Sequence, residues 1–249
     1  MSRPDGLCLQ QILRQNRDAV LVRLADAAAR AGRRPEDVRL IAVTKTVPPE
    51  VALALLELGQ ADLAENRLAG LEEKAAFCAE RGVAPRWHFV GHLQRNKARR
   101  VARLAHAIHA VDSRALLDTL LALAAEEEGA APGLYLQVKL ARDENKHGLA
   151  PSEVPALVEA AAAAGARLLG LMTMAPLVEG AEGPSARAEA QRVFLALAAL
   201  ARALPGAAFE GGRPRLSMGM SGDLEEAVSA GADDVRIGTA LFRGVEEAA

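Results

Sequence analysis

The stretch that decides the fold runs from Leu40 to Glu50 and has the sequence LIAVTKTVPPE. Its first residues are mostly apolar and indicate a buried strand, which meets Lys45 and then stops at two prolines. The segment PPEVALALLELG that follows is rich in strong helix formers. We therefore interpret this stretch as the first strand–helix unit of an α/β fold, with a cation at the end of the strand.

The same alternation continues along the chain. Seven further short apolar runs are separated by longer segments rich in Ala, Leu, Glu and Arg. This pattern, without a break in composition, predicts a parallel sheet. Eight units in 249 residues favour a single-domain (β/α)₈ TIM barrel, with an open doubly wound sheet as the alternative. The predicted strands are Arg39–Lys45, Asp62–Ala64, Trp87–Val90, Ala107–Val111, Leu134–Leu140, Leu168–Thr173, Arg215–Met218 and Asp234–Ile237.

A helix is predicted before the barrel. Residues 7–31 carry apolar side chains at helical spacing, and Gly32 after them suits a C-terminal cap. We expect one domain, 1–249, with the N-terminal helix within 1–32 and the barrel at 39–245. The longest connection, 175–184, follows the sixth strand and is expected to be a mobile loop at the functional rim.

Composition narrows the possible partners and the compartment. The formal net charge is -2 with 25% charged residues, so the chain lacks the basic excess of a nucleic-acid-binding protein. Cys8 and Cys78 have no CxxC spacing, which is typical of a reducing compartment. Residues 1–18 lack the apolar core of a signal peptide, and no apolar run is long enough to cross a bilayer. We predict a cytoplasmic protein with neither nucleic acid nor membrane as a partner.

Lys45 is the first candidate for chemistry. Strand alternation places Ile41, Val43 and Lys45 on one face, so Lys45 is expected inside the barrel at the C-terminal rim, where barrel enzymes keep their active sites. The alternative is a surface lysine that only ends a strand. At a barrel mouth, partial desolvation lowers the pKa of an ammonium, and the neutral amine can form a Schiff base with an aldehyde.

Two loops late in the sequence are candidates for a phosphate site. The loops after strands seven and eight of such barrels often aim backbone N–H groups at an anion. Gly238 and Thr239 follow strand eight, and strand seven leads into a second set of small or hydroxyl-bearing residues. An amine that condenses with an aldehyde, together with a phosphate site, predicts pyridoxal 5′-phosphate (PLP) as the cofactor. The second set is Ser217, Gly219, Ser221 and Gly222.

Arg236 limits the chemistry that PLP could carry out. Alternation in strand eight points Arg236 inward with Asp234, towards the cofactor ring. A guanidinium is a permanently charged donor, so a pyridine nitrogen facing it stays unprotonated and the ring is a poorer electron sink. Transamination and decarboxylation are therefore disfavoured. The alternative is a purely structural ion pair between Arg236 and a neighbouring aspartate.

Several motifs together resemble one family. VTKTVPPE, ENR, WHFVGHLQRNK, LLGLMTM and LSMGMSGDLEEAVSAGADDVRIGTALF are similar to the pyridoxal-phosphate homeostasis protein family, also called the proline synthetase co-transcribed homologue family, over about 40–244. The resemblance implies an alanine-racemase-like barrel of the fold type III class that binds PLP through Lys45. It also implies that Arg236 faces the ring nitrogen. The cofactor-binding residues predicted in this way are Lys45, Asn66, His88, Met174, Ser217, Met218, Gly219, Arg236, Gly238 and Thr239.

The sequence departs from the family pattern at three positions. Ala64 stands where glycine is usual, and His92 stands where proline is usual. Lys139 stands where asparagine is common, and alternation points it into the barrel with Tyr135 and Gln137. We expect Lys139 to form a rim ion pair, and the alternative is that it depresses the pKa of Lys45 or competes for the aldehyde. The possible ion-pair partners are Asp143, Glu144 and Glu65.

The sequence favours a carrier over an enzyme. A racemase needs a second base, usually a tyrosine from another domain or subunit, and the single tyrosine here, Tyr135, is predicted deep in strand five. Family members are regarded as carriers or regulators of the vitamin B6 pool, which implies a role in intracellular PLP homeostasis. We predict a non-catalytic, monomeric protein that supplies PLP to apo PLP-dependent enzymes. The alternatives are a homodimer, an amino-acid racemase or related PLP enzyme, and a phosphosugar-type barrel enzyme without PLP.

The histidines give no expected metal site. His88 and His92 are four residues apart, but the segment is predicted to be a strand turning into a loop, with no HExxH motif and no nearby cysteine. His106, His109 and His147 form no ligand spacing either. The sequence-based prediction is therefore that no metal ion is bound.

Overall fold

The computed structural model describes residues 8–126, 131–140, 147–176 and 184–245. Within these ranges eight strands form a closed barrel, in which each strand pairs in parallel with the next and β8 pairs with β1. The predicted (β/α)₈ barrel is therefore confirmed, and the open sheet is excluded. The strands are β1 (Arg39–Val43), β2 (Asp62–Glu65), β3 (Arg86–Phe89), β4 (Ala107–Val111), β5 (Gly133–Gln137), β6 (Leu168–Met172), β7 (Arg215–Ser217) and β8 (Asp234–Ile237).

A ring of helices surrounds the barrel. Each strand from β1 to β7 leads into one helix, and the N-terminal helix α1 packs against both α8 and α2, so it closes the ring beside β8. Nowhere in the described ranges is a helix long and apolar enough to span a membrane. The helices are α1 (Leu9–Arg30), α2 (Pro49–Glu57), α3 (Leu68–Ala79), α4 (Ala98–Leu104), α5 (Arg114–Glu126), α6 (Val154–Ala163), α7 (Pro184–Arg202) and α8 (Leu224–Ser229).

The apolar core has two parts, because side chains alternate along each strand. Outward-facing residues such as Leu40, Ala42 and Leu63 are buried in a large layer between the strands and the helices. A much smaller apolar cluster lies inside the barrel and consists of Ala107, Tyr135, Leu169 and Met172, with Met174 packed against it. Most of the stability from apolar burial therefore comes from the outer layer.

Much of the remaining barrel interior is polar. Buried polar groups are tolerated only when they are hydrogen-bonded or paired, so the inner face requires a connected network. The buried polar residues on the inner faces of the strands are Asp62, His88, His109, Gln137, Ser217, Asp234 and Arg236. The interior is thus built for polar contacts, and the site described below lies above it.

β1 ends two residues earlier than predicted. Its last residue is Val43, and the chain turns at once, with the Val47 N–H donating to the Thr44 carbonyl at 3.1 Å. The Thr44 hydroxyl donates to Glu65 of β2 at 2.6 Å, which fixes the start of this turn. Lys45 is exposed in the turn beyond the strand. The expectation that Lys45 is the last inward-facing residue of β1 is therefore wrong, although Lys45 does lie at the C-terminal rim.

The predicted rim loop at 175–184 lies mostly outside the described residues, which omit 177–183. The predicted N-terminal helix is present, and α1 begins at Leu9 and ends at Arg30 within the described part of the chain.

Gly170 in β6 provides a stability test. An ideal Cβ there would overlap the backbone carbonyl of Arg215 in β7, so a side chain would force two hydrogen-bonded strands apart. We expect Gly170→Ala to lower the free energy of unfolding by about 3 kcal/mol. Gly222→Ala is the matched control, because no atom lies within 4 Å of its Cβ position, and its effect should stay within about 0.5 kcal/mol. Urea denaturation measures both, and equal stability of the two variants would contradict the expectation.

Candidate functional site

The carboxyl ends of β7, β8 and β1 meet at one side of the barrel mouth. These strands are neighbours in the closed sheet, so Lys45 lies on the same rim as the loops after β7 and β8. Gly238 follows β8 directly against β1, and an ideal Cβ there would lie 3.2 Å from the Val43 carbonyl oxygen. Glycine therefore lets the loop after β8 approach the strand that leads to Lys45. Thr239, the next residue, is exposed at this rim.

The loops after β7 and β8 are joined to each other. The Ser221 hydroxyl accepts a hydrogen bond from the Ala240 N–H at 3.3 Å. Gly219 has a φ of +93°, and a Cβ at this position would overlap the side chain of Ala227 in α8, so only glycine suits the turn. Small residues thus form a continuous edge of backbone along this side of the mouth.

Helix α1 holds both loops from outside the barrel. Arg23 donates to the Ser221 carbonyl at 3.1 Å and also forms an ion pair with α8. Asn16 donates to the Leu241 carbonyl at 3.0 Å and to the Arg243 carbonyl at 2.9 Å. Because α1 contacts the backbone of both loops, it fixes their position relative to the barrel.

Arg236 is a buried cation at the inner side of this rim. Only 5% of the residue is exposed, and it donates to the Ser217 hydroxyl at 2.8 Å and to the Thr173 carbonyl at 3.1 Å. Burial lowers the pKa of Arg236 to about 10, while the charges of Asp223 and Asp234 oppose this shift, so the guanidinium remains charged near neutral pH. A guanidinium has five N–H donors, so it can support its own position and still donate to a ligand.

A chain of hydrogen bonds crosses the barrel beneath that guanidinium. The Ser217 hydroxyl is 2.8 Å from Nδ1 of His109, and Nε2 of His109 is 2.9 Å from Nδ1 of His88. Nε2 of His88 is 3.0 Å from the carboxylate of Asp62, which also receives two bonds from Arg86 at 2.8 and 2.6 Å. The chain therefore connects the rim to the opposite end of the barrel.

The proton positions in this chain follow from its upper end. Because Arg236 can only donate, Ser217 accepts from it and gives its own proton to Nδ1 of His109. Burial, aided by the nearby charges, lowers the pKa of His109 well below its usual value, so the ring is neutral. His109 then carries its proton on Nε2 and donates to His88, which donates to Asp62. Every bond runs from the cation towards the carboxylate.

Tyr135 is held in a second buried group inside the barrel. Its hydroxyl donates to Asp234 at 2.6 Å, and its ring stacks on His109 with centroids 4.3 Å apart and planes 11° apart. Asp234 is also paired with Arg215 at 2.9 Å. Burial, and then the charge of Asp234, raise the pKa of Tyr135 well above its usual value. The phenol therefore stays protonated and is not available as a general base.

Three of the predicted cofactor residues do not present their side chains at the rim. Both ring nitrogens of His88 are hydrogen-bonded and the residue is 1% exposed. The Ser217 hydroxyl is buried between Arg236 and His109, so Ser221 is better placed for an anion. The Met218 side chain belongs to the outer core. The side chains of these residues are therefore engaged inside the protein, and their predicted contact with PLP stays a prediction.

Asn66 and Met174 do lie at the ends of their strands. Asn66 follows β2 and is half-buried, and its backbone is so close to Gly91 that a Cβ on Gly91 would overlap it. Met174 follows β6, is half-buried and packs on the small apolar cluster inside the barrel. These residues place an amide and a thioether on either side of the loops after β7, β8 and β1.

Lys139 lies beyond the end of β5, where its N–H donates to the Leu149 carbonyl at 2.9 Å and the residue is half-buried. Two of its predicted partners, Asp143 and Glu144, lie outside the described residues. The third, Glu65, forms a buried ion pair with Lys74 of α3 at 2.7 Å.

Sequence reasoning missed the roles of His109, Asp62 and Tyr135. A signal was present, because a period of two places Asp62 in β2 and His109 in β4 on the inward faces of their strands. Such residues in a barrel strand predict an internal hydrogen-bond network. Their partners could not be found in this way, since His109 and Ser217 are 108 positions apart.

Comparison with known proteins agrees with the fold. The family model for the N-terminal domain of alanine racemase matches residues 16–245. The pyridoxal phosphate homeostasis protein of Deinococcus radiodurans is 39% identical over 228 residues, which cover 90% of this chain and 98% of that protein. The structure of PipY from Synechococcus elongatus with PLP bound has a TM-score of 0.74 and 35% identity, over 88% of this chain and 99% of PipY.

More distant structures share the fold. Alanine racemase from E. faecalis is 16% identical with a TM-score of 0.63, and the match covers 95% of this chain and 58% of the racemase. The barrel and its rim therefore define a protein of the alanine racemase N-terminal domain class. Within that class, the chain belongs to the family of the pyridoxal phosphate homeostasis proteins, as its motifs predicted.

The lower end of the hydrogen-bond chain predicts a pH dependence of stability. Burial raises the pKa of Asp62, but the hydrogen bonds from Arg86 and His88 outweigh burial and hold the pKa below its usual range. A depressed folded-state pKa stabilises the fold above the unfolded pKa of about 4, and this contribution is lost as the pH falls below that value. We expect Asp62→Asn to be less stable by about 3 kcal/mol at neutral pH and to lose less stability in acid than the wild type.

Urea denaturation across the acid range checks this expectation. Asp118→Asn is the control, because Asp118 is exposed and pairs only with Arg114 on its own helix among the described contacts. It should follow the wild-type profile. Parallel pH profiles for Asp62→Asn and the wild type would show that Asp62 is not the group responsible.

Proposed function

We propose that this chain binds PLP covalently through Lys45 and acts in intracellular PLP homeostasis as a non-catalytic carrier. The observation that carries the proposal is the placement of an exposed amine and a buried arginine on one rim, beside loops of small residues. The names of the relatives and the PLP-bound structure of PipY support it.

The residues at the rim fit the chemical groups of PLP. Lys45 offers a primary amine that solvent and ligand can reach. The linked loops at Ser221 and Gly238 offer backbone and hydroxyl groups to a phosphate. Gly238 allows the loop after β8 to lie this close to β1, because a Cβ there would crowd the β1 backbone. Arg236 offers fixed N–H donors at the inner side of the rim. PLP, when bound, supplies an aldehyde that can form a covalent bond with a primary amine.

Arg236 determines how the cofactor ring is held. Its positive charge and donor-only character favour an unprotonated ring nitrogen beside it. Ser217 and Thr173 restrain the guanidinium, and the hydrogen-bond chain restrains Ser217. The arginine is therefore preorganised, and this arrangement disfavours reactions that need a protonated pyridine ring.

The state of Tyr135 supports a carrier role. The sequence contains one tyrosine, and its phenol is protonated, buried and bonded to Asp234 on the inner side of the barrel. It cannot serve as the second base that racemisation requires.

Distant fold relatives are enzymes, among them alanine racemase, so a residual racemase-type activity is the second candidate. We further propose a monomer that passes PLP to apo PLP-dependent enzymes, for which the exposure of Lys45 leaves an open route.

The attachment site can be tested by spectroscopy and mapping. We expect Lys45→Ala to reduce the visible absorption of protein-bound PLP by at least about tenfold, because the amine that forms the bond is removed. Lys139→Ala is the matched control, because Lys139 follows β5, which lies across the barrel from β1, and its replacement should leave the absorption unchanged. Borohydride reduction followed by peptide mapping should place the label on Lys45, and a label on Lys139 would overturn the assignment.

Turnover is tested separately with the PLP-loaded protein. Deuterium exchange at Cα and optical inversion are measured with L- and D-amino acids, and a carrier should give no sustained exchange with any of them. Multiple turnovers with one amino acid would favour the racemase candidate over the carrier, while leaving the attachment through Lys45 intact.

A further inference from the structure

Two imidazoles and a carboxylate meet on the other side of the barrel mouth. His92 lies after β3, Asp112 directly after β4, and His147 in the segment that returns to β5. One ligand atom from each side chain lies within 4.8 Å of the other two. We call His92, Asp112 and His147 the rim triad.

Asp112 and His92 are already in contact. Nδ1 of His92 is 2.8 Å from the Asp112 carboxylate. The Asp112 side chain is 7% exposed, whereas the His92 side chain is 47% exposed. The carboxylate is thus a fixed anionic point at the end of β4, and the imidazole beside it can still turn.

His147 is fixed through its backbone. Its carbonyl accepts a hydrogen bond from the buried side chain of Gln137 at 2.8 Å. The Leu149 N–H donates to the Gln137 carbonyl, and the Leu149 carbonyl accepts from the Lys139 N–H. These bonds hold the segment 147–149 against the end of β5. The His147 ring lies against the His92 ring, with centroids 4.2 Å apart and planes 17° apart. Two exposed histidines from different loops are therefore brought together over one carboxylate.

We propose that the rim triad binds a divalent transition-metal ion of the zinc class. Imidazole nitrogens combined with one carboxylate oxygen suit zinc, cobalt, nickel or copper, whereas magnesium and calcium prefer sites made of oxygen. Bonds of about 2.0–2.1 Å in a tetrahedral site place ligand atoms about 3.4 Å apart. Rotation of the exposed imidazoles closes the present separation. One nitrogen of His92 then binds the metal in place of its hydrogen bond with Asp112, and the other ring nitrogen carries the proton.

Three protein ligands leave at least one coordination position for water or a solute. The rim triad follows β3, β4 and β5, and in a closed barrel of eight strands β4 lies across from β8. A metal held there would link the three loops at one point. It would also present an open coordination position across the mouth from Gly238 and Arg236. The proposal rests on the rim triad alone and does not depend on PLP binding.

Cobalt binding tests the proposal, since tetrahedral Co²⁺ bound to nitrogen and oxygen gives visible absorption. The protein used has no affinity tag. It contains the Cys8→Ser substitution, because Cys8 is an exposed thiol that could bind cobalt itself. We expect one equivalent of Co²⁺ to produce the absorption and one equivalent of Zn²⁺ to abolish it. His92→Ala, Asp112→Asn and His147→Ala should each weaken binding by at least about tenfold.

His106→Ala is the matched control. His106 directly precedes β4, whereas Asp112 directly follows it, so the control removes a histidine from the opposite end of the same strand. It should retain the affinity of the parent protein. Circular dichroism verifies that each variant is folded. Because His92 and His147 are exposed, we expect their replacement to leave the core intact.

The outcomes distinguish this proposal from the proposed function. Cobalt binding that persists in Lys45→Ala separates the metal site from PLP, and the proposal requires it. Absence of the cobalt absorption, or equal affinity in the triad variants and the parent, would overturn the metal site. Either result leaves attachment of PLP to Lys45 as it was.

Discussion

A positive charge buried inside the barrel is the constraint on which the structure of the site depends. Arg236 is almost fully buried, yet its two hydrogen bonds go to an uncharged hydroxyl and a backbone carbonyl. Burying a charge is unfavourable unless the surrounding dipoles are arranged to receive it. Here the arrangement continues through Ser217, His109 and His88 to Asp62, with each donor pointing away from the cation. The interior of the barrel must therefore be polar, and the histidines must hold defined tautomers.

The outer layer makes this polar interior possible. The faces of the strands that meet the helices bury the apolar residues, so stability does not rely on filling the barrel with aliphatic side chains. Inside, a small apolar cluster that includes Tyr135 packs against Met174 at the mouth. At the rim, glycines let backbone segments come close, and α1 fastens the two loops after β7 and β8. The large apolar layer and the polar network thus lie on opposite faces of the same strands.

The two sides of the mouth have different chemistry. The side formed by β7, β8 and β1 offers an amine, a guanidinium and backbone donors, which suit an anionic carbonyl compound. The side formed by β3, β4 and β5 offers two imidazoles and a carboxylate, which suit a soft or borderline cation. His92, one of the departures from the family pattern, belongs to this second side. A barrel holds both because each strand delivers its own loop to the same rim.

The barrel and the family could both be predicted from the amino-acid sequence alone. Alternating apolar runs and helix formers give the strand order, because each strand–helix unit is a local pattern. Period-two alternation also indicated that Arg236 points inward, which holds. Only the tertiary structure decided that β1 stops before Lys45, that Ser217 and His88 support Arg236 from below, and that His92 meets Asp112 and His147. These facts depend on the depth of a residue along the barrel axis and on contacts between strands that are far apart in the chain. The local periodicity of the sequence carries no information about either.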